Sequence, residues 1–402
     1  MKKVNKFLNP KSIAVVGASE NQEKVGYILM QKLKEFKGIV IPINLNKDLI
    51  LGKRAYSSIK QYTKKIDLVI IVTPAKTVEK ILEDCGEKKI KNVMVISAGF
   101  SEEGNIKLEN EILKKAKKYK INLLGPNCFG VSNPYLNFDT TFSKSFPKKG
   151  TIAFISQSGA LWSYISDLPE IGFSGFVSLG NMSDLTFVDF IRYFQKDKNT
   201  KKIILYIEKL KKGKKFIDIC KKSKKEIIVV KAGRSKKGSE ATLSHTGSLA
   251  TDFEIYKCAF KQAKVKMCET LIEALNQEGQ KIDIKRKKIA IITNAGGAGA
   301  LITDILEKQN IGIYGPIDLL GTAKPEDYIR EIKKLKYKKF NSIIFILTPQ
   351  YMSAPMKLAE EILKLDKLLK DKITACFLGG SSVEKAVKIL KKNKIKVLTK
   401  CC

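Results

Sequence analysis

The 402-residue chain predicts an α/β protein built of three consecutive parallel-sheet units. Three observations carry that prediction. Apolar, β-branched runs of about four to eight residues recur along the whole length. Helix-like stretches separate them, as crossovers between parallel strands with helices on both faces require. The length itself suits two or three domains of ordinary size, each able to bury a core.

Taken in order, strands are expected at 12–16, 39–43, 67–72, 92–96 and 121–124. A link of Asn, Pro, Ser and Lys at 133–149 follows. A second series is expected at 151–155, 175–179, 202–207 and 226–231. Charged, helix-like residues at 277–287 separate a third, at 288–292, 342–347 and 373–378, with a strand-like run at 395–398 near the end. The domain boundaries read from this are 1–130, 148–276 and 286–402.

Composition excludes several chemistries. Hydrophobic residues make 44% and charged ones 29%, with 27 Gly and 11 Pro, so the chain is neither disordered nor fibrous. A single histidine rules out a zinc site of several imidazoles and any histidine acid/base pair. The eight cysteines, at 85, 128, 220, 258, 268, 376, 401 and 402, form no C-x-x-C and point to a reducing cytosol. The adjacent Cys401 and Cys402 read as incidental. No apolar run approaches the ~18 residues of a membrane span, and 12–16 is too short for a signal-peptide core. No membrane partner is therefore expected.

Seventy-five Lys and Arg against 40 Asp and Glu give a net charge of +35. The excess is mostly Lys, spread along helices with Glu interleaved, and no segment joins basic residues to stacking aromatics. A solvated lysine face explains it better than nucleic-acid binding.

In open parallel sheets ligands bind at the carboxyl ends of the strands, and here those ends are small and polar. They are Gly17-Ala18-Ser19, Thr73-Pro74-Ala75, Ser97-Ala98-Gly99 and Gly125-Pro126-Asn127. Gly17 lies between a strand and a helix, where backbone N–H groups can receive a phosphate. The next glycine is Gly26, so there is no G-x-G-x-x-G. The second strand is followed by Asn44, Asn46 and Lys47 where an NAD site wants an acid. A cation there suits a nucleotide with an extra ribose phosphate, coenzyme A or NADP, although a solvated lysine on a Rossmann-like turn fits as well.

The only histidine, His245, stands in a Gly- and Ser-rich segment, 233–248, expected to form a mobile loop. Gly233 and Gly238 have Walker A spacing, but Ser239 replaces the required Lys, which excludes a P-loop. Imidazole is a nucleophile able to carry a group between sites. Ser156 to Ala160 form a tight strand-to-helix turn that can aim N–H groups at an anion. Glu208 ends the strand at 202–207 and, from the residues alone, reads as a solvated strand-end charge.

Five motifs together resemble one family: Ser-His-Thr-Gly-Ser-Leu-Ala at 244–250, Ile-Ser-Gln-Ser-Gly-Ala-Leu at 155–161, Val-Ser-Leu-Gly-Asn-Met-Ser-Asp at 177–184, Gly-Pro-Asn-Cys-Phe-Gly at 125–130 and Ile-Thr-Asn-Ala-Gly-Gly-Ala-Gly at 292–299. In this the chain is similar to α subunits of ADP-forming acetyl-CoA synthetases, nucleoside-diphosphate-forming acyl-CoA synthetases related to succinyl-CoA synthetase. The resemblance implies a Rossmann-like CoA-binding domain followed by two flavodoxin-like domains, the third trimmed around 309–316 and at its end. It implies that acyl-CoA, ADP and phosphate are converted to acid, ATP and CoA in the cytoplasm. It implies that His245 is phosphorylated, that Glu208 orients it, and that Ser158, Gly159, Ala160 and Ser244 receive phosphate. Gly17, Ala18, Ser19, Lys47, Thr73, Pro74, Ser97, Ala98 and Gly99, with Asn127, would line the CoA site. No metal ligand is implied in this chain. A separate ATP-grasp β subunit would bind ADP or ATP with Mg2+, in an α2β2 assembly.

Two other readings remain at this level. One is a CoA-binding regulatory protein of the same fold without turnover. The other, a serine hydrolase using Ser158, lacks G-x-S-x-G. Trp162, Tyr164 and Phe129 could shape an acyl pocket or belong to the core.

Overall fold

A computed structural model describes residues 3–246, 252–282, 288–335 and 340–402, with the backbone alone over 243–246. Its first unit contains β1 (Ser12–Val16), β2 (Ile39–Ile43), β3 (Leu49–Ile50), β4 (Lys53–Arg54), β5 (Leu68–Ile71), β6 (Asn92–Val95) and β7 (Asn122–Leu124). Five of these make a parallel sheet in the order β2-β1-β5-β6-β7, while β3 and β4 form a small antiparallel hairpin beside it. Every residue of β1, β5 and β6 is buried, because helices cover both faces of the sheet.

The second unit adds β8 (Val131–Asn133), β9 (Phe138–Asp139), β10 (Lys148–Ser156), β11 (Gly172–Ser178), β12 (Lys202–Ile207), β13 (Glu226–Lys231) and β14 (Lys266–Cys268). The sheet order is β14-β13-β12-β10-β11-β8-β9, with β8 antiparallel to β11 and β9 antiparallel to β8. The segment 133–149, expected to be a link, is therefore partly sheet. Val131 and Phe138 are fully buried and tie it to the core, whereas its Asn, Pro and Ser form the turns between strands.

The third unit comprises β15 (Lys288–Thr293), β16 (Gly312–Asp318), β17 (Ser342–Leu347), β18 (Ile373–Phe377) and β19 (Lys396–Leu398), all parallel in the order β16-β15-β17-β18-β19. Strand β16, not expected from the sequence, occupies the stretch where the resemblance implied trimming. Its Gly315 and Pro316 disguise it, and it is an edge strand, the position where proline is tolerated.

The units share cores. One apolar cluster joins Phe7, Val15 and Leu124 of the first unit to Ile155, Phe187 and Phe190 of the second. Another joins Phe154 and Trp162 to Ile291 and Leu301 of the third. Trp162 stacks on Phe176 at 4.3 Å, and neither it nor Tyr164 has measurable exposure, so both belong to the core rather than to an acyl pocket. Cys401 and Cys402 are buried in the same cluster and are structural, not incidental.

Gly26 opens the helix Val25–Lys32, and a Cβ there would lie 2.0 Å from the Gly17 carbonyl oxygen. Helix and strand-end loop thus touch backbone to backbone, and Gly17 itself has φ +94°. We expect Gly26→Val to cost about 3 kcal/mol in urea unfolding. Gly213→Ala, where an added Cβ meets nothing within 4 Å, should stay within ~0.5 kcal/mol of the parent.

Candidate functional site

Each sheet has one place where successive crossovers leave in opposite directions, the position at which open α/β sheets bind ligands. It falls between β1 and β5, between β10 and β12, and between β15 and β17.

At the first, four loops meet. The Ser97 hydroxyl donates to the Thr73 carbonyl (2.5 Å), and the Asn127 N–H donates to the Ser97 carbonyl (3.0 Å). The Asn44 amide donates to the Ala18 carbonyl (2.8 Å), which brings the second strand end to the first. Lys47 reaches the same rim and pairs with Glu20 at 2.5 Å, with both side chains open to solvent. That pair draws the Glu20 carboxyl below its usual range, chiefly through the hydrogen bond from Lys47. Pro74 and Ala98 are exposed on the rim, and Thr73, Ser97 and Gly99 are half-buried.

Two rim amides are already bonded within the protein. The Gly17 N–H donates to the Ile43 carbonyl (3.0 Å), continuing the strand pairing. The Gly99 N–H donates to Glu102 (2.7 Å). The Gly17 N–H is therefore not the anion-facing donor that its turn suggested. The Ser19 hydroxyl accepts from the Asn21 N–H (3.0 Å) and keeps its own proton for another acceptor.

At the second switch point the Gln157 side-chain oxygen accepts from the N–H groups of Glu208 (2.8 Å) and Lys209 (2.9 Å), tying the ends of β10 and β12 together. Glu208 is 5% exposed, so it is a buried acid and not a solvated strand end. Ser158 is buried at the turn, where the Ser156 hydroxyl donates to its carbonyl (2.6 Å). Among the described residues the N–H groups of Ser158, Gly159 and Ala160 meet no acceptor. They stand at the start of the helix Ala160–Ile165, as an anion seat would.

A second helix begins at the same place. The helix Gly296–Glu307 of the third unit starts against Ser158, and a Cβ on Gly297 would lie 2.5 Å from the Ser158 hydroxyl oxygen. The Tyr206 hydroxyl donates to the Gly297 carbonyl (3.2 Å). Burial and the neighbouring Glu208 charge push the Tyr206 hydroxyl well above the usual tyrosine range, so it remains a donor. Two helix starts from different units, each a positive dipole end, therefore lie against each other. Sequence reasoning quoted Gly296 and Gly297 in the 292–299 motif but gave them no site role. The available signal was a glycine pair directly after the strand at 288–292.

The two switch points adjoin. Phe129, two residues beyond Asn127, donates its N–H to the Ser178 hydroxyl (2.9 Å) and presses on Gly159, where a Cβ would meet its own at 2.0 Å. The rim of the first unit thus leads directly to the turn of the second.

The segment before His245 departs from expectation. Residues Lys236–Thr246 are helical, not a mobile loop. The reason lies about 70 residues away. Asp304, 3% exposed on the helix Gly296–Glu307, accepts from the N–H groups of Gly233, Arg234 and Ser235 (each 2.9 Å) and from the Ser235 hydroxyl (2.8 Å). Glu307 accepts from the Lys237 N–H (2.7 Å). Carboxylates supplied by a neighbouring helix satisfy the first turn and let the helix form. Ser244 and His245 fall in its last turn, and their side chains lie outside the described residues.

With this geometry established, known proteins are informative. Residues 11–134 match the model of a CoA binding domain and residues 149–277 that of a succinyl-CoA ligase like flavodoxin domain. The chain is 38% identical to the α subunit of acetate–CoA ligase [ADP-forming] II of Pyrococcus furiosus, over 97% of this chain and 93% of that protein. It is 42% identical to acetate–CoA ligase [ADP-forming] of Methanocaldococcus jannaschii, over 79% of this chain but about half (49%) of that longer protein. Among solved structures, the dinucleotide forming acetyl-coenzyme A synthetase 1 of Ca. Korarchaeum cryptofilum, in complex with phosphate and ADP, superposes with a TM-score of 0.66 at 32% identity, covering 100% of this chain and 94% of that one. Nearly full-length similarity to separate α subunits places the chain in the family of ADP-forming acetate–CoA ligase α subunits.

Proposed function

We propose that this chain is the α subunit of an ADP-forming acyl-CoA synthetase acting on acetyl-CoA or a similarly small acyl-CoA. CoA lies on the rim of Gly17, Ala18, Ser19, Lys47, Thr73, Pro74, Ser97, Ala98, Gly99 and Asn127. Phosphate sits at Ser158, Gly159, Ala160 and Ser244, between the two helix starts. The phosphate oxygen attacks the thioester carbonyl, the C–S bond breaks, and CoA leaves with the proton that phosphate gives up. The resulting acyl phosphate passes its phosphoryl group to a His245 ring nitrogen as the P–O bond to the carboxylate breaks. Glu208 accepts the other ring N–H and fixes the tautomer. ADP then takes the phosphoryl group on an ATP-grasp β subunit, which also holds the Mg2+ that screens the nucleotide phosphates. An α2β2 assembly in the cytoplasm completes the proposal.

The observation that carries this reading is the contact between the CoA-type rim and the anion seat through Phe129 and Gly159. A regulatory CoA binder would need the rim alone. To test it, the full-length chain is incubated with acetyl-CoA and radiolabelled phosphate. An acid-labile, base-stable phosphoryl group on the peptide containing His245 is expected. Saturable CoA binding with no such label would overturn the catalytic reading.

A further inference from the structure

The motif at 177–184 has no part in the chemistry described above, yet one of its side chains reaches the rim of the first unit. Asn181 follows β11 in the second unit. The two hydrogens of its amide nitrogen are shared among the Glu102 carboxylate (2.6 Å), the Glu109 carboxylate (2.9 Å) and the Ser101 hydroxyl (3.2 Å). Its side-chain oxygen accepts from the Asn127 side-chain amide (3.3 Å). Carboxylates only accept, so they fix which end of the Asn181 amide faces them.

Both ends of that amide lead to the rim. The other Glu102 oxygen accepts from the N–H groups of Gly99 (2.7 Å) and Phe100 (3.1 Å), which sets the exit of the loop at 97–99. Asn127 belongs to the rim turn at 125–127. The Asn181 N–H donates to the Pro126 carbonyl (3.0 Å) and the Ser183 N–H to that of Gly125 (3.3 Å), so backbone and side chain grip the same turn. The grip is itself anchored. Glu109, 8% exposed, also accepts from the Ser183 hydroxyl and from the Ser101 N–H (3.2 Å). Burial works against its charge, but hydrogen bonds from Ser101, Ser183 and Asn181 outweigh it and hold the carboxyl below its usual range. The Lys211 ammonium donates to the Met182 carbonyl (2.8 Å) and steadies the loop from the segment after β12.

We infer that Asn181 is a positioning residue for the CoA site, which from the second unit holds the Gly99 and Asn127 loops of the first at one spacing, so that the rim is set before CoA arrives. This rests on the reading of the rim as the CoA site. It adds that the affinity of the site depends on a residue outside the CoA binding domain matched at 11–134. Without that hold the ligand would have to order the two loops, and the cost is subtracted from binding. Among the described residues none of the Asn181 bonds goes to the turn at 156–160, so the phosphoryl step should be spared.

Titration calorimetry of CoA into the full-length chain, with thermal melts alongside, tests this. Asn181→Ala should weaken CoA binding ~10-fold, the worth of a lost hydrogen bond to charged groups. With acetyl-CoA and radiolabelled phosphate, the half-saturating acetyl-CoA concentration should rise by a similar factor, while the maximal rate of phosphohistidine formation stays within ~3-fold. Asp184→Ala is the control. Its carboxylate accepts from the Leu123 N–H (3.0 Å) and ties down the same loop without bonding a rim residue. That variant should melt earlier and keep its CoA affinity within ~2-fold. Glu102→Gln breaks the link from the first unit, because one amide cannot accept from Gly99 and from Asn181 together, and should weaken CoA ~5-fold. Parental CoA affinity in Asn181→Ala, a loss confined to its maximal rate, or an equal loss of affinity in Asp184→Ala would overturn the assignment. Should Asn181→Ala not fold, Glu102→Gln decides alone, and parental affinity there overturns it. A parent that binds CoA, with variants that bind it alike, removes only Asn181. A parent that binds no CoA overturns the rim reading and this inference together.

Discussion

His245→Ala is expected to take up no phosphoryl label from acetyl-CoA and phosphate, and to lower ATP formation in the assembled enzyme at least ~10⁴-fold. The size follows from the role. A covalent carrier cannot be replaced by better binding, and this is the only histidine in the chain. CoA should still bind with the parent's affinity, because the rim of Ser97, Thr73 and Lys47 is built in the first unit. Measuring label and CoA affinity on the same preparation separates loss of the carrier from loss of the fold. An alanine variant that labels as the parent does would move the carrier elsewhere and end the relay proposal.

Asp304→Ala should produce the largest loss of stability among single changes around the site, about 3–5 kcal/mol in urea unfolding. Three N–H groups and the Ser235 hydroxyl lose their acceptor, and the Arg234 guanidinium, 3.6 Å from the carboxylate, loses the nearer of its two acidic partners. Asp304→Asn keeps an acceptor oxygen but not the charge, and should fall between alanine and the parent. The same change should loosen the start of the helix Lys236–Thr246, so hydrogen exchange across Gly233–Lys237 should rise in the alanine variant even where the rest of the chain stays protected. A loss under ~1 kcal/mol with unchanged exchange would mean that the helix holds without its carboxylate cap.

Much of the fold is legible in the amino-acid order. Buried parallel strands are continuous apolar runs, and β1, β2, β12, β13 and β17 begin and end where those runs do. The strands that escape notice lie at or next to a sheet edge. β8 and β9 are two or three residues long, β14 is Lys-Met-Cys, and β16 contains Gly and Pro. Edge strands are buried on fewer sides, so composition constrains them less. At the candidate site, the residues in strand-end turns are visible one at a time, and the resemblance of five motifs supplies their family. The pairing of those turns is not visible. Gln157 bridging to Glu208, Phe129 against Gly159, and Gly297 against Ser158 join residues about 30 to 140 positions apart.

The histidine segment shows the division most clearly. Its glycines and serines favour a loop by local propensity, and the residues alone give no reason for a helix. The helix forms because Asp304 and Glu307 accept the N–H groups of its first turn and the turn before it from about 70 residues downstream. By itself, then, the sequence determined the three-unit α/β architecture, the polar strand ends and the presence of a single histidine, since burial periodicity and residue chemistry are local properties. Only the tertiary structure decided which strand ends meet, that Glu208 is buried, and that two helix starts from different units lie against each other. Those are consequences of strand order and crossover direction, which bring together groups that no local pattern relates.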